Sequence, residues 1–480
     1  APEVAANYTA TINWGDGTTD TGTVAASGSG FDVTGSHTYA ADGVHAISVT
    51  IKDEGGATAT ATTTAAAGYL QVNLVSDLPG NALATDLNLV NPWGIAFSPT
   101  SPFWISDNGA DVATIYSGDV NGSAFSKSGL VVSIPDGAPT GQVANATSDF
   151  VVGSGAASGP AKFIFASENG SIAGWNPTAN ATQAQTAVSV PGAVYKGLAL
   201  ANNGTANELF ATNFAAGTID VFDASFHQVT LSAGAFSDPN LPTGFAPFGI
   251  ELINGKLFVT YAKQDAAKHD DVAGFGNGFI DEYNLDGTLA MRLVTGTPGD
   301  PTSPLNSPWG MAIAPANFGD FSGDLLVGNF GDGKINAFDP NTGTFLGTLS
   351  DASGKPIIID GLWALVFGNG TAAGSTNALF FTAGTDGEQH GTFGSLTSAE
   401  NTPLTGDAAR LTTTEATAFS GTVAAFAAST TLAPAAAGPA SIDWGDGSTS
   451  AGTVTSNGDG GFNVAGNHTY ADEAATETIH

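Results

Sequence analysis

The chain has no cysteine, which excludes disulfide staples, thiolate metal sites and cysteine nucleophiles. Basic residues are scarce: 11 Lys plus Arg stand against 44 Asp plus Glu, for a net charge of -33. A surface of that sign repels nucleic acid and anionic membranes, because holding phosphate needs a basic patch. Neither is expected as a partner. Charge of either sign is thin, at 11% of residues against roughly 25% in globular proteins. No apolar run reaches the ~18 residues of a membrane span, so membrane insertion is not expected. Gly-x-Ser-x-Gly elbows, His-Glu-x-x-His and phosphate loops are also missing. The glycine-rich turns do not follow a strand to open a helix.

What is there instead is Thr, Ser, Asn and 64 glycines, with abundant Val, Ile and Phe. That mixture makes short strands joined by tight turns, so the expected fold class is all-β. At 480 residues the length prior gives about three domains. The acid excess suits a secreted protein among divalent cations or high salt, or simply serves solubility. The chain opens Ala1-Pro2-Glu3, which reads as a processed or trimmed product whose export signal is gone. An extracellular or cell-surface location is the expectation.

From about Tyr69 to Thr397 one pattern cycles at an irregular period of roughly 45 to 60 residues, the range of propeller repeats. A small apolar strand, often after proline, opens each cycle: Pro92-Trp93-Gly94-Ile95, Pro247-Phe248-Gly249-Ile250, Pro308-Trp309-Gly310-Met311, and the weaker Lys196-Gly197-Leu198 and Leu362-Trp363-Ala364. A second strand ends in a polar residue, as in Phe103-Trp104-Ile105-Ser106-Asp107 or Leu325-Leu326-Val327-Gly328-Asn329. Two more strands follow. Four short antiparallel strands per cycle make the blade of a β-propeller. Blade starts near Trp93, Phe150, Lys196, Phe248, Trp309 and Leu362 predict six blades over 68–398. The partnerless strand 69–75 is expected to close the last one and hide two open edges. The glycine after each opening aromatic fits inner strands crowding at an axis.

The pairs Ile105-Ser106-Asp107-Asn108-Gly109 with Ala113-Thr114-Ile115-Tyr116, and Val327-Gly328-Asn329-Phe330-Gly331 with Lys334-Ile335-Asn336-Ala337-Phe338-Asp339, resemble NHL-type propeller repeats. Asn91-Pro92-Trp93-Gly94-Ile95-Ala96, Asp270-Asp271-Val272-Ala273-Gly274 and Gly278-Phe279-Ile280-Asp281 resemble an uncharacterised family of secreted bacterial propellers. That resemblance implies export and a six-bladed ring, and brings no activity with it.

Near both ends one phrase recurs. Asn13-Trp14-Gly15-Asp16-Gly17 leads to His37-Thr38-Tyr39, and Asp443-Trp444-Gly445-Asp446-Gly447 leads to His468-Thr469-Tyr470. The phrase resembles PKD domains, small immunoglobulin-like sandwiches of surface proteins. Trp14 and Trp444 suit a sandwich core, and Gly15-Asp16-Gly17 and its rear copy form hairpin turns that need positive φ. Tyr39 and Tyr470 resemble the tyrosine corner, and His37 and His468 read as structural hydrogen-bonders. Residues 1–67 are read as a PKD-like β-sandwich missing its first strand, and 399–480 as one missing its final strands. Either the chain is a slice of a longer tandem polypeptide, or subunits complete each other head to tail by strand addition.

Three groups are candidates for chemistry. The loop from Asp265 to Asn277 holds Asp265, His269, Asp270 and Asp271, oxygen and imidazole groups suited to calcium or a transition metal. A ring of second-strand ends, Asp107, Glu168, Asn213, Asp265, Asn329 and Asp386, either holds calcium or a ligand on one face or bonds the following turns. Asp386-Gly387-Glu388-Gln389-His390 forms the third. The leading functional reading is a non-catalytic extracellular building block of a surface, matrix or fibre protein, which self-associates head to tail and meets a surface glycan or protein. The rival reading is a calcium-dependent propeller hydrolase or lactonase-like enzyme using the polar ring.

Overall fold

The computed structural model of the chain describes residues 8–27, 30–35, 43–53, 58–120, 123–398, 404–408, 419–428, 440–443, 449–456 and 461–469. It is a β-propeller with a sheet at each end of the sequence. Six innermost strands surround the axis: Pro92–Ala96, Pro139–Ala144, Tyr195–Asn202, Phe245–Ile253, Pro308–Ile313 and Leu362–Phe367. Each packs against the next, and the sixth packs against the first. Each pairs antiparallel with a second strand, in order Phe103–Asp107, Phe163–Ser167, Asn207–Asn213, Lys256–Lys263, Leu325–Asn329 and Ala378–Ala383. These second strands are apolar almost throughout because both of their faces are covered by neighbouring blades. Phe103–Asp107, Phe163–Ser167 and Leu325–Asn329 are buried at every residue.

The innermost strand of each blade is a sheet edge, so a missing N–H there breaks no ladder. Proline opens three of these strands and sits inside a fourth, at Pro92, Pro139, Pro308 and Pro247. Beyond it the ladder slips by one residue at the same place in all six blades, between Pro92/Ile95, Pro139/Gln142, Tyr195/Leu198, Pro247/Ile250, Pro308/Met311 and Leu362/Leu365. Each slip is a β-bulge that turns one side chain toward the axis. Its small residue is Gly94, Gly141, Gly197, Gly249, Gly310 or Ala364. A Cβ on Gly94 would lie 2.6 Å from the Thr140 carbonyl oxygen of the next blade, and one on Gly141 would lie 2.5 Å from the Leu198 nitrogen. On Gly249 and Gly310 it would meet the carbonyls of Trp309 and Trp363 closer still.

Tyr69–Ser76 pairs antiparallel with Thr392–Ser398, from Ser398↔Tyr69 to Thr392↔Ser76. Chain start and chain end of the ring thus share one sheet, which removes an open edge. The joint is pinned by Asp77, which accepts hydrogen bonds from the Gly391 N–H at 2.9 Å and pairs with His390 Nδ1 at 2.7 Å. The second blade differs from the sequence expectation. Its innermost strand is Pro139–Ala144, and Phe150 instead precedes a side hairpin, Val151–Ser154 with Ala157–Pro160. The bulge here carries Thr140 where four of the other blades carry an aromatic and one a lysine, so the opening phrase is hard to see.

The front residues form one five-stranded sheet, ordered Gly30–Thr34, Thr19–Ser27, Tyr8–Asn13, Gly43–Asp53, Thr58–Ala67. Trp14 is buried against Ile12, Val33, Ile47 and Val49, and its indole N–H donates to Asp20 at 2.8 Å. Gly15 and Gly17 have φ of 83° and 94°, the left-handed values a tight hairpin needs. Strands Leu404–Ala408, Phe419–Ala428, Ala440–Asp443, Thr449–Ser456 and Gly461–His468 form a second five-stranded sheet. Residues His37, Tyr39, Trp444, Gly445, Asp446, Gly447 and Tyr470, and the His468 side chain, lie outside the described residues.

Axial crowding predicts the outcome of a substitution. Gly249→Val forces a branched side chain into the Trp309 backbone and should destabilise the ring by ~3 kcal/mol or more. Gly129→Ala, with open space around its Cβ position, should stay within ~0.5 kcal/mol of wild type. Chemical denaturation of the two variants checks this.

Candidate functional site

At the six bulges the side chains preceding the small residue are Trp93, Thr140, Lys196, Phe248, Trp309 and Trp363. Five of these positions are apolar or carry a neutral hydroxyl, and the sixth is a lysine. Threonines of the second strands hold the bulges in place. Thr212 Oγ1 accepts from the Gly197 N–H at 2.7 Å and donates to the Phe248 carbonyl at 2.8 Å. Thr260 accepts from the Gly249 N–H at 2.8 Å, and Thr382 accepts from the Ala364 N–H at 3.1 Å and donates to the Trp93 carbonyl.

The aromatic side chains form one block. Trp93 stacks on Trp363 at 3.5 Å and Phe330 on the other side of Trp363 at 4.1 Å, while Trp309 stands edge-on to Trp93 and Trp363. Lys196 is 1% exposed. Its ammonium lies 5.0 Å from the Trp93 ring centre and 5.8 Å from that of Phe214, a cation–π setting.

A buried ammonium needs counter-charge. Lys196 Nζ pairs with Glu168 and, at 3.5 Å, with Asp270. Glu168 also accepts from Asn108 Nδ2 at 2.9 Å, Asn91 Nδ2 donates to Asn108 at 3.3 Å, and the Trp363 indole N–H donates to Asn91 at 3.2 Å. His269 Nδ1 lies 2.8 Å from Asp270. One hydrogen-bonded chain thus runs from blade six through blades one, two and three to the long loop of blade four.

Two further acids face this cluster. Burial pushes the Glu388 carboxyl up to about 7, and repulsion by Glu168, Asp270 and Asp271 adds to the shift while Lys196 opposes it. Burial also raises Asp271, against the opposing pull of the nearby Ser307 hydroxyl and Lys196. Asp271 and the Ser307 hydroxyl face each other outside ordinary hydrogen-bond geometry, and among the described residues the indole N–H groups of Trp93 and Trp309 have no partner. Asn91, Ser307, Asp386 and Glu388 hold left-handed backbone, with φ of 45°, 49°, 53° and 67°. Strain and unpaired polar groups gathered at one place make this the candidate functional site.

Of the residues singled out in the sequence, the cluster takes His269, Asp270 and Glu168, and Asp271 and Glu388 face it. One ligand atom from each of Glu168, His269 and Asp270 lies within 4.8 Å of the others. Asp265 is spent on its own loop: the backbone N–H groups of His269 and Asp270 donate to it, at 2.9 and 3.3 Å, and hold its carboxyl below the usual range. Asp386 is exposed, and its own N–H donates to Asp360. Asp107 is fully buried inside blade one, and that burial pushes its carboxyl well above the ordinary range.

The ring of second-strand ends is not one ring. Opposite the opening of the inner strands stand Asp107, Ser167, Asn213, Asn329 and Ala383, with Tyr261 in blade four. Asn213 and Asn329 bond neighbouring turns, Asn213 accepting from Ala216 N–H and Asn329 donating to the Pro304 carbonyl. Glu168 lies one residue past this level, and Asp265 and Asp386 lie in the loops beyond. Lys196 was legible only as part of a repeat phrase. The signal for its role was a lysine standing where aligned phrases have Trp or Phe.

Known proteins are similar to this chain in sequence. An uncharacterised protein of Acanthamoeba polyphaga mimivirus is 34% identical over 335 residues, 67% of this chain and 78% of that protein. A second uncharacterised mimivirus protein is 32% identical over 338 residues, 67% of this chain and 84% of that protein. The chain belongs to their family. These relatives are viral, so the resemblance to a bacterial family does not bound the source of such propellers. No protein-family model matches the chain. Among solved structures, a streptogramin B lyase covers 69% of this chain and 97% of its own at 13% identity and a TM-score of 0.38. An α-L-arabinanase of Penicillium chrysogenum covers 69% and 99%, at 11% identity and a TM-score of 0.39. Likenesses this loose carry no chemistry over to the chain.

The Glu388 shift has a sign. Its folded pKa lies above the ordinary 4.5, so the folded state binds more protons between pH ~4.5 and ~7, and stability falls as pH rises through that window. Glu388→Gln should remove ~1–3 kcal/mol of that fall. Glu251 and Asp281 titrate in the same range, so the readout is the difference between wild-type and variant unfolding curves across pH.

Proposed function

We propose that the protein is an enzyme of the hydrolase or lactonase-like type, acting on a small neutral carbonyl compound at the Lys196 face of the propeller. One observation carries the reading: an ammonium held at the axis in an aromatic block, within electrostatic reach of a carboxyl that titrates near 7. In ester or lactone hydrolysis, water adds to the carbonyl carbon and the C–O bond to the leaving alcohol breaks. Lys196 Nζ and the unpartnered indole N–H groups are donors for the oxygen on which negative charge develops. Glu388, part ionised at neutral pH, is suited to take the water proton and return it to the leaving oxygen. Glu168 and Asp270 hold Lys196 in place. With carboxylates outnumbering the one ammonium, the face disfavours anionic substrates.

Lys196 is 1% exposed and its ammonium lies 3.5 Å from Asp270 of the long loop, so the reading includes an opening of that loop to admit substrate. The same ammonium lies against the carboxylates that a calcium ion would use, which supports lysine-centred rather than calcium-dependent chemistry. The test is hydrolysis of p-nitrophenyl esters and of a lactone series. Wild type should turn over at least one of them in the presence of EDTA. Lys196→Met should lower kcat/KM by 100-fold or more, and Glu388→Gln by a similar factor with loss of the limb of the pH profile near 7. Turnover unchanged in both variants, or none in wild type with any of these substrates, sinks the reading.

A second reading is favoured by the repeated Trp-Gly-Asp-Gly phrase and by the front sheet, whose edge strands are Gly30–Thr34 and Thr58–Ala67. In it the end segments are PKD-like modules of an extracellular array, and neighbouring subunits or tandem repeats join by strand addition. Electron microscopy of purified chain with and without a calcium chelator tests it. Filaments support the array, and monodisperse particles at high concentration count against it.

A further inference from the structure

Between blades one and two, toward the face opposite Lys196, lies a cleft of about 390 Å³. Its level follows from the ladder. Phe163, in its wall, stands four residues before Ser167, which faces Pro139 at the opening of the inner strand, so about 13 Å separate the two levels. Trp104 of blade one and Trp175 of blade two complete the aromatic lining. Trp104 stacks on Phe163 at 4.2 Å and tilts against Trp175 at 4.6 Å. The three rings belong to the core between the two blades, which fixes their positions, and here the edge of that core borders open space.

The polar groups of the lining are spent within the fold. Ser98 Oγ accepts from the Ser101 N–H, Ser101 Oγ donates to the Pro102 carbonyl and Ser128 Oγ accepts from the Leu130 N–H, each at 3.1 Å. Asn145 donates to the carbonyls of Asp149 and Ala161, and the Trp175 indole N–H to that of Ala181. Lys162 remains. It lines the cleft and is exposed. Lys127, Lys196, Lys256, Lys334 and Arg292 each hold a carboxylate, whereas Lys162 forms no ion pair among the described residues. In a chain with 44 acidic and 11 basic residues, a lysine left without an acid is an uncommitted cation. Its flexible four-carbon stem lets the ammonium swing over the cleft.

We propose that this cleft binds a small aromatic carboxylic acid, its ring against Trp104, Phe163 and Trp175 and its carboxylate at Lys162. The volume suits a molecule of one or two rings, and the lining offers offset or edge-on ring contacts. A sugar fits less well, because its hydroxyls need more free partners than the lining leaves. The net charge of -33 repels an anion at long range, but physiological salt screens that field beyond about 8 Å, inside which Lys162 acts. No residue of the cleft belongs to the Lys196 face, so this site and the proposed hydrolysis fail independently.

The full chain is titrated by calorimetry with indole-3-acetate and benzoate, and with indole and glucose as uncharged comparisons. Indole-3-acetate should bind at unit stoichiometry and more tightly than indole. Lys162→Met should weaken indole-3-acetate by ~five-fold and leave indole unchanged, while Lys162→Arg should keep most of the wild-type affinity. Leu130→Glu, which sets a carboxylate in the half-buried wall, should abolish binding of the acids. Lys196→Met should change none of these affinities. Circular dichroism establishes that each variant is folded. The proposal is overturned if neither acid binds wild type, if indole binds as tightly as indole-3-acetate, or if Lys162→Met leaves the acid's affinity unchanged. Binding of glucose alone, or loss of acid binding in Lys196→Met, overturns it as well.

Discussion

Everything in this propeller follows from how closely six strands approach one axis. A strand at that radius leaves little room at the bulge: a Cβ on Gly94, Gly141, Gly249 or Gly310 would come within 2.6 Å of the next strand's backbone, one on Gly197 would lie 3.0 Å from it, and Ala364 carries the one methyl of the set. Because the crowded residue has at most a methyl, the residue before it must carry whatever faces the axis. Six bulges in register therefore yield six axial side chains, and the composition of that ring decides what the protein can do.

In five of the six places the ring is packing. Trp93, Phe248, Trp309 and Trp363 fill space, and Thr140 donates to the Tyr195 carbonyl of the next blade at 2.8 Å. Lys196 breaks the pattern. An ammonium that is 1% exposed persists only with carboxylates beside it, and their placement depends on elements far apart in the chain. Glu168 comes from blade two, Asp270 from blade four, Glu388 from blade six. Left-handed backbone at Asp386 and Glu388 is the local strain accepted to bring that last carboxyl in.

The two ends of the axis differ in character. At one, charge is dense and hydrogen-bonded across five blades. At the other, a narrow channel is lined by glycine backbone and apolar side chains such as Ile95, Leu198 and Met311. Among the described residues the buried acids have distinct settings: Asp107 within a blade, Asp281 paired with Arg292, Asp77 at the joint that closes the ring.

The repeats, the all-β class and the crowding glycines were legible in the sequence, because strand pattern and turn chemistry are local and recur with each blade. So was the tight turn at Gly15-Asp16-Gly17. The second blade was misplaced because Thr140 hides its opening phrase. The loop residues His269, Asp270 and Asp271 were also legible as a group. Their partner was not, since Lys196 lies about seventy residues away and meets them only when blades three and four stand side by side. Asp107, Asp265 and Asp386 looked equivalent as strand-end carboxylates, yet register puts one inside a blade and two in loops. Side-chain type and local pattern belong to the sequence by itself. Which charges share one low-dielectric space was decided only by ring closure, because electrostatic partners are chosen by distance across the axis and not along the chain.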